Sequence, residues 1–197
     1  EAIYADMGSG QRMLRLLQGD VGSGKTVVAL AAMAQVAAHG GQSALMAPTD
    51  ILARQHAQTL APLAEALGLS LVLITGKVPP AERRLAMQRA ENGEAAIIVG
   101  THALFQDTLH FRNLMLVVVD EQHRFGVEQR LRLTEKGQAP HILQMSATPI
   151  PRSLTMTVYG DMESSALTEK PAGRQQIDTR AMPLERLDEV IEGVSRA

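Results

Sequence analysis

Gly19-Asp20-Val21-Gly22-Ser23-Gly24-Lys25-Thr26 has the form G-x-x-x-x-G-K-T, and its residue types suit one task. Glycines let a backbone curl until successive N–H groups point at one anion. A helix opening straight after such a loop adds the partial positive charge of its N-terminus. Gly19, Gly22, Ser23, Gly24, Lys25 and Thr26 are therefore candidate ligands of a nucleotide phosphate tail. Lys25 brings a full charge to the terminal phosphates, and the Thr26 hydroxyl is a candidate Mg²⁺ ligand. A second candidate group follows at Leu116-Val117-Val118-Val119-Asp120-Glu121, an apolar run ending in two adjacent acids. Beside a bound phosphate tail, Asp120 at the run's tip can hold the metal, and Glu121 can orient and deprotonate an attacking water. Neighbouring side chains leave a strand end in different directions, so the two acids can hold separate roles. The candidate catalytic groups are Glu121 and Lys25.

These groups need strands that end where they begin. Apolar runs over residues 13–18, 43–46, 70–75, 95–99, 115–120 and 141–146 predict strands, and helical patterns cover 25–39, 50–67, 80–91, 127–136 and 150–159. Gly40-Gly41, Gly68 and Gly137 stand where helix C-caps belong, and Pro80 where a first-turn proline belongs. Runs such as Leu116–Val119 do not alternate with polar residues, so they suit strands buried on both faces. Strand–helix alternation predicts an α/β fold, a mostly parallel, doubly wound sheet flanked by helices, with its functional loops at the C-terminal strand ends.

Composition limits the alternatives. The 197 residues suit one domain, or one domain with part of another, and an apolar fraction of 45% supplies a core that is largely aliphatic, since aromatics make up 3%. The absence of Cys excludes disulfides and thiolate metal sites, and the six His stand singly without zinc-site spacing. A net charge of −2 provides no global basic field for nucleic acid. The longest apolar run, 27–38, is interrupted by Gln35 and too short to span a bilayer, so no membrane role is expected. Residues 1–11, with Gly8-Ser9-Gly10, read as a loosely held lead-in.

The acids continue as Asp120-Glu121-Gln122-His123-Arg124-Phe125-Gly126, and Ser146-Ala147-Thr148-Pro149-Ile150-Pro151-Arg152 follows. A phosphate loop, a D-E-x-H box and an S-A-T together resemble the first motor half of superfamily 2 helicases. The longer strings D-E-Q-H-R-F-G and A-T-P-I-P-R resemble the RecG family of bacterial branched-DNA helicases. The transcription-repair coupling factors (Mfd) are close relatives that more usually carry Glu at the position of Gln122, which favours the RecG side. The resemblance implies a RecA-like P-loop NTPase domain using ATP and Mg²⁺. It makes Asp120 the metal-linked acid and Glu121 the water-activating one. Gln122 and His123 would couple the nucleotide site to Ser146 and Thr148. Ala47-Pro48-Thr49 with Arg54 and Gln55, and Gly100-Thr101-His102, match stretches that touch the DNA backbone in this superfamily. From the residues alone, Pro48-Thr49-Asp50 is equally a helix N-cap, and Arg54, Arg83, Arg84 and Arg89 could be solvated helix faces.

The resemblance also implies parts this chain does not contain: an adenine-reading glutamine motif before Glu1, a wedge domain for branched DNA, and a second RecA-like lobe with arginine fingers after Ala197. The expected organisation is a first motor lobe over 1–167, an inter-lobe linker over 168–175 around Pro171-Ala172-Gly173-Arg174, and the truncated start of a second lobe over 176–197. The implied partners are DNA and the other domains of the same parent, in the bacterial cytoplasm. Such a fragment is expected to bind nucleotide without unwinding DNA. The competing reading from a different class is a P-loop NTPase switch or assembly module that does not act on DNA.

Overall fold

The computed structural model describes residues 1–120, 139–148, 162–169 and 182–196. Among the described residues seven strands form one sheet in the order β3-β4-β2-β5-β6-β1-β7. They are β1 (Leu14–Gly19), β2 (Gln42–Met46), β3 (Leu71–Ile74), β4 (Ile97–Gly100), β5 (Leu114–Asp120), β6 (His141–Ser146) and β7 (Glu163–Leu167). Every pairing between them is parallel. The main helices are α2 (Lys25–Ala38), α3 (Asp50–Ala66) and α4 (Pro80–Glu91); a short α1 (Ala2–Met7) precedes the sheet and α5 (Leu187–Arg196) closes the chain.

The apolar runs behave as double-sided strands. On β2, Leu45 faces a cluster with Ala29, Met33, Val36, Ala53, Leu60 and Leu116, while Ala44 and Met46 face a second cluster with Ala86, Ala90, Leu104, Val117 and Val119. Helices α2 and α3 thus cover one face, and α4 with the 3₁₀ turn His102–Phe105 covers the other. Small residues let α3 lie close: Ala53, Ala57 and Ala64 are buried beside Leu60. Parallel strands put all their C-terminal ends on one edge, so the phosphate loop, Ala47-Pro48, Thr75, Thr101 and Ala147 leave the sheet from the same rim.

Two elements differ from expectation. Residues 1–11 are not a loose lead-in: α1 buries Ile3, and Asp6 Oδ2 accepts from Arg15 Nε of β1 at 2.6 Å. Arg15 also donates to Ser165 Oγ of β7 at 2.8 Å, so one buried guanidinium joins three elements. Strand β7 was not foreseen, because Glu163-Ser164-Ser165-Ala166-Leu167 lacks an apolar run; as an edge strand it needs only one hydrogen-bonded neighbour, β1. The helices expected at 127–136 and 150–159 and the C-cap at Gly137 fall outside the described residues. Among the described residues no helix is long and apolar enough to cross a membrane.

At the N-terminal ends of the strands several polar groups are paired, while Ser43 Oγ of β2 is buried with no hydrogen-bond partner among the described residues. Gln42 Nε2 donates to the carbonyls of Ala90 and Ala95, each at 2.8 Å, and its Oε1 accepts from Asn113 N at 3.0 Å. His141 Nδ1 accepts from Met13 N at 3.0 Å. Burial, and then the charge of Arg12, hold the His141 pKa below its ordinary value.

Candidate functional site

β1 runs straight into the glycine loop, and the loop's geometry follows from its glycines. Gly22 and Gly24 have φ of 82° and 92°, a region closed to most side chains, and Gly24 is the N-cap of α2. Its carbonyl accepts from Val27 N and Val28 N, which starts the helix. Gly19 is needed for space: a Cβ there would lie 2.5 Å from Ser23 Oγ and 3.0 Å from Leu167 Cβ. Lys25 Nζ turns back onto the loop, donating to Gly19 O at 2.6 Å and Asp20 O at 2.9 Å. Ser23 Oγ is buried with no hydrogen-bond partner among the described residues. Thr26 is half-buried in the first turn of α2.

Asp120 ends β5, and β6 lies between β5 and β1. The register pairs Asp120 with Met145 and Gln18 with Ser146, so the two strand ends flanking β6 sit level with the start of the S-A-T segment. Ser146 is buried, and the segment closes on itself. Thr148 N donates to Ser146 Oγ at 3.2 Å, and the Ser146 hydroxyl lies 3.0 Å from the Thr148 carbonyl. Gln18, Gly19, Asp20, Ala147 and residues 166–169 line a cavity of about 270 Å³ beside the loop. Glu121, Gln122 and His123 lie outside the described residues.

Further along the same rim stand the residues matched to DNA contact. Thr49 accepts from Leu52 N at 3.3 Å and so caps α3; Pro48 is half-buried and Gln55 exposed. Arg54 Nε donates to Asp50 Oδ2 at 2.8 Å, and the Thr75 hydroxyl donates to the other oxygen of Asp50. That bond first, and Arg54 second, hold the Asp50 carboxyl below its ordinary pKa. Thr101 is buried, whereas His102 is exposed in the 3₁₀ turn. Of the remaining arginines named above, Arg84 is exposed and Arg89 donates to Ser70 Oγ at 2.8 Å.

One residue at the site was missed by sequence reasoning. His56, on α3, meets Asp120: Nε2 lies 2.6 Å from Oδ2, and both side chains are only 13% exposed. A lone histidine 64 positions from its partner carries no local signal.

The donor set suits a nucleotide phosphate tail with Mg²⁺. An aliphatic sheet edge, two left-handed glycines, an orphaned buried hydroxyl and a lysine resting on neutral carbonyls suit a phosphate tail. The Thr26 hydroxyl and the Asp120 carboxylate are hard oxygen donors of the kind Mg²⁺ takes alongside phosphates.

Residues 1–157 match the DEAD/DEAH box helicase family. The chain is 51% identical over 194 residues to the ATP-dependent DNA helicase RecG of Bacillus subtilis (strain 168), covering 98% of this chain and 28% of that protein. It is 49% identical over 200 residues to the RecG of Escherichia coli (strain K12), covering 99% of this chain and 29% of that one. Among solved structures it is similar to RecG bound to a three-way DNA junction, with a TM-score of 0.83 and 43% identity over 98% of this chain and 26% of that one. The chain therefore spans less than a third of the length of these relatives.

Proposed function

The chain belongs to the DEAD/DEAH box helicase family, and on that footing we propose that it is the ATP-binding, first RecA-like motor lobe of a RecG-type DNA translocase. In the whole protein, ATP hydrolysis would drive remodelling of branched DNA in replication restart, recombination and repair. The observation that carries this reading is the rim itself: phosphate loop, Asp120 and the Ser146–Thr148 turn end three neighbouring parallel strands.

In this reading the loop amides and Ser23 receive the phosphates, and Lys25 leaves the carbonyls of Gly19 and Asp20 for the terminal phosphate. Thr26 and Asp120 would hold Mg²⁺, which would supply positive charge to the phosphate oxygens. Glu121 takes the proton of the attacking water. Gln122 and His123 pass the state of the site to Ser146 and Thr148. The DNA backbone is gripped near Pro48, Thr49, Arg54, Gln55, Thr101 and His102. Residues 1–167 form the lobe, 168–175 the hinge, and 176–197 begin the second lobe. An arginine from that far lobe, a device worth about 10³–10⁵ in rate among NTPases, completes the site, so this lobe alone binds nucleotide but scarcely turns it over.

Steady-state ATP turnover by the complete protein, with and without a three-way junction DNA, tests the proposal. The junction should raise turnover, and Glu121→Gln should abolish it while leaving nucleotide binding nearly intact. Turnover indifferent to DNA would overturn the translocase reading in favour of an NTPase switch. Parental turnover by Glu121→Gln would remove Glu121 as the base.

A further inference from the structure

Helix α3 is fastened to the rim at three places. Thr49 caps its first turn, Asp50 is bonded to Thr75 and Arg54, and His56 reaches Asp120. The first is local to the loop that leaves β2, and the second reaches Thr75 at the end of β3. The third crosses from α3 to the tip of β5, where the candidate metal-linked acid sits. An ionised carboxylate can only accept, so the imidazole Nε2–H donates to Oδ2, and the 2.6 Å separation is that of a short charge-assisted bond. With both side chains 13% exposed, little water competes for it. Helical rise puts His56 about 9 Å along the axis from Asp50, within one rigid element. Small residues on either side, Ala53 and Ala57, are buried in the core and fix the helix against the sheet.

We propose that His56 is a positioning residue for Asp120. It occupies one carboxylate oxygen, fixes the rotation of the group and leaves the other oxygen for the nucleotide-bound metal. Outer partners of metal-holding carboxylates orient their ligand, and their loss typically lowers metal affinity by about 10–100-fold. The bond also gives the nucleotide site a mechanical link to the N-terminal end of α3, where Thr49 and Arg54 stand. That link is separate from the turn made by Ser146 and Thr148, which leaves a different strand. The inference rests on the Mg-nucleotide reading of the rim, and its test separates the two.

The experiment titrates a fluorescent ATP analogue into the chain with Mg²⁺ and again with the metal chelated, using the parent, His56→Leu, His56→Gln and Lys25→Ala. His56→Leu should lose about tenfold in affinity with Mg²⁺ and stay within about twofold of the parent without it. His56→Gln, whose amide N–H can still donate, should recover most of the loss. A purely structural role would lower the melting temperature without touching the Mg²⁺ dependence. His56→Asn, too short to reach Asp120, replaces the leucine variant should that one fail to fold, and should show the same loss. If Lys25→Ala loses binding but His56→Leu keeps the parental Mg²⁺ gain, the positioning role is overturned and the nucleotide reading stands. A parent that binds no nucleotide with Mg²⁺ overturns both.

Discussion

The two ends of the sheet treat polar groups differently. At the N-terminal ends, Gln42 uses both amide hydrogens and its carbonyl oxygen on backbone partners, His141 accepts from Met13, and Arg15 is shared between Asp6 and Ser165. At the C-terminal ends, Lys25 rests on carbonyls of its own loop, Ser23 Oγ has no partner among the described residues, and the S-A-T segment bonds to itself. The first end spends its hydrogen bonds on holding elements together. The second also fastens α3, through Asp50 with Thr75 and His56 with Asp120, but around the glycine loop it leaves Lys25 and Ser23 in arrangements that an anion would satisfy better. Stability and ligand binding should therefore respond to different residues.

Gln42→Ala should break the first end hardest. It removes the amide donor from the buried carbonyls of Ala90 and Ala95, of which Ala90 keeps Gly93 N, and the acceptor of Asn113 N, so the cost should be about 2 kcal/mol in urea unfolding, each unmet buried group being worth about 1–3 kcal/mol. Nucleotide affinity of the folded protein should not change; a drop beyond about twofold would show that the two ends are not independent. Lys25→Ala should do the reverse. Loss of a charge-assisted phosphate contact should weaken Mg-ATP binding at least about tenfold, or ~1.4 kcal/mol, with stability within about 0.5 kcal/mol of the parent. Equal affinities in a fluorescent-analogue titration would remove the phosphate-loop reading.

The smallest effect is a pH dependence confined to the closed end. His141 takes a proton less readily in the native protein than in the unfolded chain, because burial and then Arg12 oppose the charge. Protons therefore favour unfolding: its contribution is complete above the ordinary histidine value near 6.5 and is lost as pH falls below it. Protonating Nδ1 would also remove the acceptor of Met13 N. Urea midpoints from pH 7.5 downward should fall more steeply for the parent than for His141→Gln. Parallel slopes would clear His141 of any part in it.

The open end was the more legible in the sequence. Its work is done by contiguous strings, and Gly19–Thr26, Asp120 and Ser146–Thr148 emerge at the tips of neighbouring strands as the alternation of runs requires. The strands over 141–146 and the helix over 80–91 begin and end where apolar pattern and Pro80 put them. What escaped depends on contacts between distant residues. Asp6 and Arg15, Gln42 and Ala90, and His56 and Asp120 are pairs in which at least one member looks ordinary alone. α1 escaped because six residues before a glycine-rich turn hold their helix through Ile3 and Asp6 rather than through propensity. β7 escaped because an edge strand draws its stability from one ladder, not from an apolar run.

That ladder has a bearing on force. β7 lies beside β1 in parallel register from Arg15 opposite Glu163 to Gly19 opposite Leu167, so both strands finish level with the glycine loop. A pull on Thr168 along the strand axis would load those pairs together in shear rather than peel them one at a time. Tension arriving at this point would be borne by β1, the strand that runs straight into the glycine loop.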